Sequence, residues 1–134
     1  MYLINTNVLS EARRGRPEAR DWLRSIDSER VFLSVISLGE IMKGIAKKSR
    51  SDATAAASLY RWLEVLRVDH AGRILSITDR VAIEWGRIAA LRPRGMADAL
   101  IAATAVVHGQ ILVTRNVVDF DDLNMPILDP WNPS

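Results

Sequence analysis

Cysteine is absent from this chain of 134 residues. That excludes a disulfide framework and a thiolate zinc site, and it suits a reducing, cytoplasmic compartment. Histidine is nearly as scarce: His70 and His108 are the only two. They form no ligand pair, and His108 falls at the end of an apolar helical stretch, where a contact with the helix dipole is its expected role. No apolar run approaches the roughly 20 residues of a membrane span, so no membrane partner is expected. The first residues lack a basic segment followed by a long apolar one, which predicts no signal peptide. Repeats, low-complexity tracts and linkers are missing too, so residues 1–134 read as a single domain. A large charge imbalance is also missing. The net charge is +2, so any affinity for nucleic acid must come from local basic clusters. What remains is 49% hydrophobic and 25% charged, the composition of an ordinary globular protein large enough for one substantial core.

The chain is organised around its first ten residues, MYLINTNVLS. Tyr2, Leu3 and Ile4 form a short apolar run that breaks into Asn5, Thr6 and Asn7. Such a run reads as a buried strand passing into a loop and a helix. In open parallel sheets ligands bind just beyond the carboxyl ends of the strands, where Asn5, Thr6 and Asn7 would stand.

The pattern continues as alternating short strands and helices. Asn7 is expected to cap a helix carrying Val8, Leu9 and Ala12, which breaks at Arg13–Pro17. A second helix carries Ala19, Trp22, Leu23 and Ile26, and Val31–Leu33 is a second strand. Ser34 or Ser37 then caps a helix whose apolar face is Val35, Ile36, Leu38, Ile41, Met42 and Ile45, with Glu40 on a face that is not obviously solvated. Ala53–Val68 follows as a helix after Ser51 and Asp52, then a strand at Ile74, Leu75 and Ile77. Thr78 and Asp79 cap a helix with Val81, Ile83, Trp85, Ile88 and Leu91. The helix from about Ala97 to His108 is apolar almost all round, which predicts burial in the middle of the domain, and Gly109 stops it. Ile111–Val113 is a strand ending in Thr114, Arg115 and Asn116; 117–124 is a loop or short turn; Met125–Leu128 is the last strand. The proline-containing tail 129–134 cannot be helical. This alternation predicts an α/β sandwich with a mostly parallel central sheet.

Polar residues recur where strands end and helices begin. Taken singly each has an ordinary explanation. Asp98 favours the positive end of a helix dipole, worth about 0.3–1 kcal/mol. Glu40 suits an ion pair, Asp119 a turn with Asp121 and Asp122, and Asn5 a cap. Taken together they are oxygen ligands that one sheet edge could gather. Oxygen ligands without cysteine or paired histidine favour Mg2+ or Mn2+ over zinc. Such ions assist phosphodiester hydrolysis by lowering the pKa of a water and neutralising charge on phosphate oxygens.

In this order and spacing, YLINTNVLSE at 2–11, LSVISLGEIMKGI at 33–45, ADALIAATAVVHG at 97–109 and LVTRNVVDF at 112–120 resemble the PIN-domain toxins of the VapC/FitB type, from bacterial type II toxin–antitoxin pairs. AGRIL at 71–75 and DPWNP at 129–133 extend the likeness over nearly the whole chain. The resemblance implies a PIN-like three-layer sandwich and a Mg2+- or Mn2+-dependent endoribonuclease. It puts the metal-binding and catalytic positions at Asn5, Glu40, Asp98 and either Asn116 or Asp119, with Asp119 the ionisable choice, and gives Thr6 and Thr114 supporting roles. At position 5 the family pattern is aspartate. Asn5 offers one neutral oxygen in its place, which predicts weakened metal binding and little cleavage, whether the change is natural or introduced.

The resemblance also implies a homodimer or larger assembly, and silencing by a small DNA-binding antitoxin. A carboxylate cluster attracts a guanidinium from such a partner as it attracts a metal. RNA is expected to be held by its phosphates. Arg13, Arg14, Arg92, Arg94 and Arg115 are candidates, whereas Lys43, Lys47, Lys48 and Arg50 suit a solvated helix end equally well. The four tryptophans are spaced like core or interface residues. Alternative readings are a catalytically silent module that binds RNA or antitoxin, and a DNA nuclease with the same metal chemistry. A receiver-like domain would need an acid pair after the first strand and a lysine after the last, and has neither here.

Overall fold

The computed structural model describes residues 1–133; the last residue of the predicted non-helical tail, Ser134, lies outside them. Its strands are β1 (Tyr2–Ile4), β2 (Val31–Ser34), β3 (Ile74–Leu75), β4 (Ile111–Val113) and β5 (Ile127–Leu128). Its helices are α1 (Thr6–Arg13), α2 (Pro17–Ser25), α3 (Val35–Lys48), α4 (Ala53–Asp69), α5 (Asp79–Ala89) and α6 (Met96–His108), with short 3-10 turns at Ser28–Arg30 and Val117–Phe120. The strands form one sheet in the order β3-β2-β1-β4-β5. Every pairing is parallel, with Leu3 opposite both Phe32 and Leu112, and Ile4 opposite Val113.

Side chains alternate across this sheet and build a core on each face. Ile4, Leu33 and Val113 point to one side, where they meet Val8, Ile41, Ile45 and Leu63 from the helices α1, α3 and α4. Leu3 and Leu112 point to the other and meet Val81, Ile88, Ile101 and Phe120. The expected three-layer sandwich is therefore present, and its sheet is wholly parallel. Burial of each large aliphatic side chain contributes about 1.5–3 kcal/mol. Small residues let α6 lie close: Ala99, Ala102, Ala103 and Ala105 are all buried. Gly109, at φ 63°, supplies the left-handed turn that ends α6. All four tryptophans pack on these cores. Among the described residues no helix is long and apolar enough to cross a membrane.

Several boundaries differ from expectation. Asn5, not Asn7, caps α1, so the helix begins directly after the strand. Ser34, not Ser37, caps α3, with its hydroxyl accepting the amide of Ile36 at 3.0 Å. Ile77 and Met125 fall outside β3 and β5. Both strands are sheet edges with a single neighbour, and their ladders stop after two residue pairs. Met42, Ile83 and Leu91, assigned to apolar faces, are 40%, 64% and 61% exposed.

Candidate active site

Because all strands are parallel, their carboxyl ends share one edge of the sheet. From β1 the strand order runs outward in both directions, to β2 on one side and to β4 on the other. That is the switch point at which α/β sheets bind ligands. Asn5 leaves β1 there and Thr114 leaves β4.

Asn5 is 3% exposed. Its Oδ1 accepts the amide of Thr6 at 2.8 Å, and its Nδ2 donates to Thr114 Oγ1 at 3.0 Å. Its backbone amide donates to the carbonyl of Val113 at 2.8 Å, continuing the β1–β4 ladder. The fully buried Thr114 hydroxyl oxygen also takes Asn7 Nδ2 at 3.4 Å and the amide of Asn116 at 3.1 Å. One residue on, the Thr6 hydroxyl donates to Glu40 Oε1 at 2.6 Å and lies 2.9 Å from Ser37 Oγ. Thr6 thus ties the start of α1 to the second turn of α3 and fixes Glu40 beside Asn5.

Asp98 sits in the first turn of α6 and is partly buried. Its carboxyl is pushed above the ordinary carboxylate range, first by burial and then by the negative charges of Glu40 and Asp119. These acids come from α3, α6 and the 3-10 turn after β4, and the charges of the first and last both act on Asp98. Asp98 and Asp119 line a depression of about 310 Å3 together with Arg92, Arg94 and Gly95. Asn116 precedes the turn, is exposed, and makes no side-chain capping bond. Of Asn116 and Asp119, only Asp119 adds its charge to that of Glu40 in acting on Asp98.

The donors are all oxygens, which suits a hard divalent cation. Asn7 Oδ1 adds a buried oxygen with no hydrogen-bond partner close to the same network. In geometry the set falls short: among the described residues no three acidic or histidine side chains, Glu40, Asp98 and Asp119 included, converge closely enough to hold a metal ion.

The basic candidates separate. Arg13 and Arg14 line a groove of about 550 Å3 that also contains Thr6, Glu40, Lys48 and Trp62. Arg13 lies 5.6 Å from the Trp62 ring and bonds Ser58, while Arg14 pairs with Glu11 at 3.0 Å. Arg115 is exposed, over the Trp131 ring at 4.5 Å. Arg92 and Arg94 are engaged with the segment 118–122 instead. Sequence reasoning missed this engagement, and it missed Ser37 as a partner of Thr6, whereas Asn7 stands beside Asn5 as expected. The only advance sign was the basic RPR at 92–94 matching the acidic DFDD at 119–122.

A wholly parallel α/β sandwich with polar side chains joined at its switch point is the layout of a protein that binds its ligand beyond the strand ends. The chain belongs to the PIN domain family, whose model matches residues 2–124. It is 33% identical to Toxin FitB of Neisseria gonorrhoeae, over 98% of this chain and 99% of that protein. It is 29% identical to VapC ribonuclease Y4jK of Sinorhizobium fredii, over the full length of both. The fold is similar to that of the protein in the structure of FitAB bound to an IR36 DNA fragment. There the TM-score is 0.88 and the identity 30%, covering 100% of this chain and 98% of the other. PIN-domain ribonucleases generally use a divalent metal ion.

Proposed function

We infer that this single-domain chain, residues 1–134, is the toxin of a toxin–antitoxin pair, built as a Mg2+- or Mn2+-dependent endoribonuclease and weakened in cleavage by Asn5. The observation that carries the reading is Asp98, at the start of α6, under the charges of both Glu40 and Asp119, with Glu40 tied through Thr6 to the end of β1. Residues 5, 40, 98 and 119 are the positions that hold the ion, with Asn116 at their margin. When bound, the ion neutralises charge developing on a phosphate and makes a water more acidic. The protein's own groups do the rest. Thr6 orients Glu40, Thr114 orients residue 5, and the buried α6 holds Asp98 rigidly. Arg13, Arg14 and Arg115 attract the phosphates of the RNA. The acidic mouth also suits a guanidinium from a small DNA-binding antitoxin. A cytoplasmic location and a homodimer belong to the same reading.

One observation favours a second reading. Among the described residues no three acidic or histidine side chains group closely enough to hold a metal ion, which suits a module that binds RNA or antitoxin without cutting. Purified chain and its Asn5→Asp variant, both free of antitoxin, should be incubated with a structured RNA pool in Mg2+, Mn2+ or chelator. Metal-dependent cleavage by Asn5→Asp, with much less by the parent, supports the nuclease. Cleavage by neither, with RNA or antitoxin still bound, supports the binding module. Cutting of DNA but not RNA would assign the same site to a DNA nuclease.

A further inference from the structure

We propose that Arg94, assisted by Arg92, is a positioning residue that clamps the Asp119 turn onto the start of α6 and so sets where Asp119 stands relative to Asp98. The proposal rests on the nuclease reading for its catalytic consequence, but not for its structural one.

The Arg94 side chain is 5% exposed, low for a guanidinium beside an open depression. Its Nη1 donates to the carbonyl of Asp119 at 3.0 Å and to Asp122 Oδ1 at 3.2 Å. Its Nη2 donates to Asp122 Oδ2, completing a two-pronged contact with that carboxylate. Such paired contacts fix geometry as well as charge. Arg92 adds a bond from Nη2 to the carbonyl of Val118 at 2.8 Å, and ion pairs with Asp121 at 3.6 Å and Asp122 at 3.3 Å. Two arginines of the α5–α6 connection therefore take consecutive carbonyls of the 3-10 turn, and the acids that follow it. The last carbonyls of a helical turn lack partners within the turn, and these contacts satisfy them.

The placement matters because each side carries an acid of the site. Arg94 lies four residues before Asp98, while the turn it grips carries Asp119. On its far side the turn is anchored by Phe120, which is fully buried in the second core. Asp119 is thus held between an apolar plug and a guanidinium fork. Arg94 has no free face to offer a phosphate: one end of its guanidinium is committed, and Nε is buried. It does not belong with the RNA-contacting arginines.

The test uses the full chain and its Asn5→Asp form. In the parent, Arg94→Gln should raise amide hydrogen exchange across residues 117–122 about tenfold or more, with α6 unchanged. Arg94→Lys should raise it less, since an ammonium cannot reproduce the fork. Asp122→Asn, a milder change on the opposite side, should give the same local signature if Arg94→Gln fails to fold. In the Asn5→Asp form, Arg94→Gln should lower kcat about 10- to 100-fold through misplacement of Asp119, with KM and the salt dependence of RNA binding little changed. Unchanged exchange at 117–122 in both Arg94→Gln and Asp122→Asn would overturn the clamp. So would a loss confined to KM with a shallower salt slope, the signature of a phosphate contact. If Asn5→Asp itself cuts no RNA, the nuclease reading fails, and the exchange experiment still decides the clamp.

Discussion

Asn5 Nδ2 donates to Thr114 Oγ1 at 3.0 Å, joining the ends of β1 and β4 across 109 residues of chain. The same hydroxyl oxygen faces two further N–H donors, from Asn7 and Asn116. Donors crowd this oxygen, while the hydroxyl's own hydrogen has no acceptor at Asn5 Nδ2. An aspartate at position 5 would supply one, with the Thr114 hydroxyl donating to it. It would also place a third carboxylate beside Glu40 and Asp98.

The first prediction follows. Without divalent metal, Asn5→Asp should be less stable than the parent by about 1–3 kcal/mol, because it adds a buried charge to acids that already repel. The melting temperature should fall accordingly and be regained on adding Mg2+, since ligand binding to the folded state adds stability by mass action. Thermal melts of both proteins, with Mg2+ and with chelator, check this.

Thr114→Val keeps the shape of a fully buried side chain but strands the amides that converge on it. A loss of about 2–3 kcal/mol is expected. Thr114→Ser should retain most of the stability. Urea denaturation midpoints of the two variants separate the hydrogen bonds from the packing.

Asp98 gives a pH prediction. Its carboxyl is raised in the folded chain from 3.8, by burial and by Glu40 and Asp119. A carboxyl raised on folding is most favourable when protonated, so its ionisation costs stability as pH rises from the unfolded value through the raised folded one. Below 3.8, the parent and its Asp98→Asn variant should differ in stability by a constant amount. Above it, the balance should shift toward Asp98→Asn and level off once Asp98 is ionised. Denaturation of both proteins in chelator, from below that value to neutral pH, measures the shift.

Asp122 runs the other way. The Arg94 hydrogen bond is the main cause holding its carboxyl below 3.8. Its contribution is present above the unfolded value and is lost as pH falls through the lowered folded one. Proteolysis or amide exchange at 117–122 should therefore increase below pH 3.8 in the parent, and depend less on pH in Arg94→Gln.

The layering of the fold was legible because short apolar runs alternate with amphipathic stretches, and Leu3, Ile4, Leu112 and Val113 fall to the faces that a period of two requires. The meeting of the strand-end residues Asn5 and Thr114 was legible for a related reason: the carboxyl ends of parallel strands share an edge. Less visible was anything set by long-range packing. Ile77 and Met125 are apolar and continue their runs, yet no neighbour pairs with them at the sheet edge. Met42 and Ile83 fit an apolar periodicity and still face outward. Arg92 and Arg94 read as phosphate ligands from their charge, and only the tertiary placement of 118–122 shows that both also bind that segment. Asn116 and Asp119 could not be separated by spacing; Asp119 lines the depression beside Asp98, whereas Asn116 does not line it.

The most direct measurement is a titration of Mn2+ into the purified, antitoxin-free chain and its Asn5→Asp variant, with binding followed by calorimetry. Asn5→Asp should bind at least about tenfold more tightly, a difference of about 1.4 kcal/mol for the added carboxylate, and Asp98→Asn in that background should abolish the gain. Equal affinity of parent and Asn5→Asp, or a gain that survives Asp98→Asn, would contradict a metal centre built around residue 5.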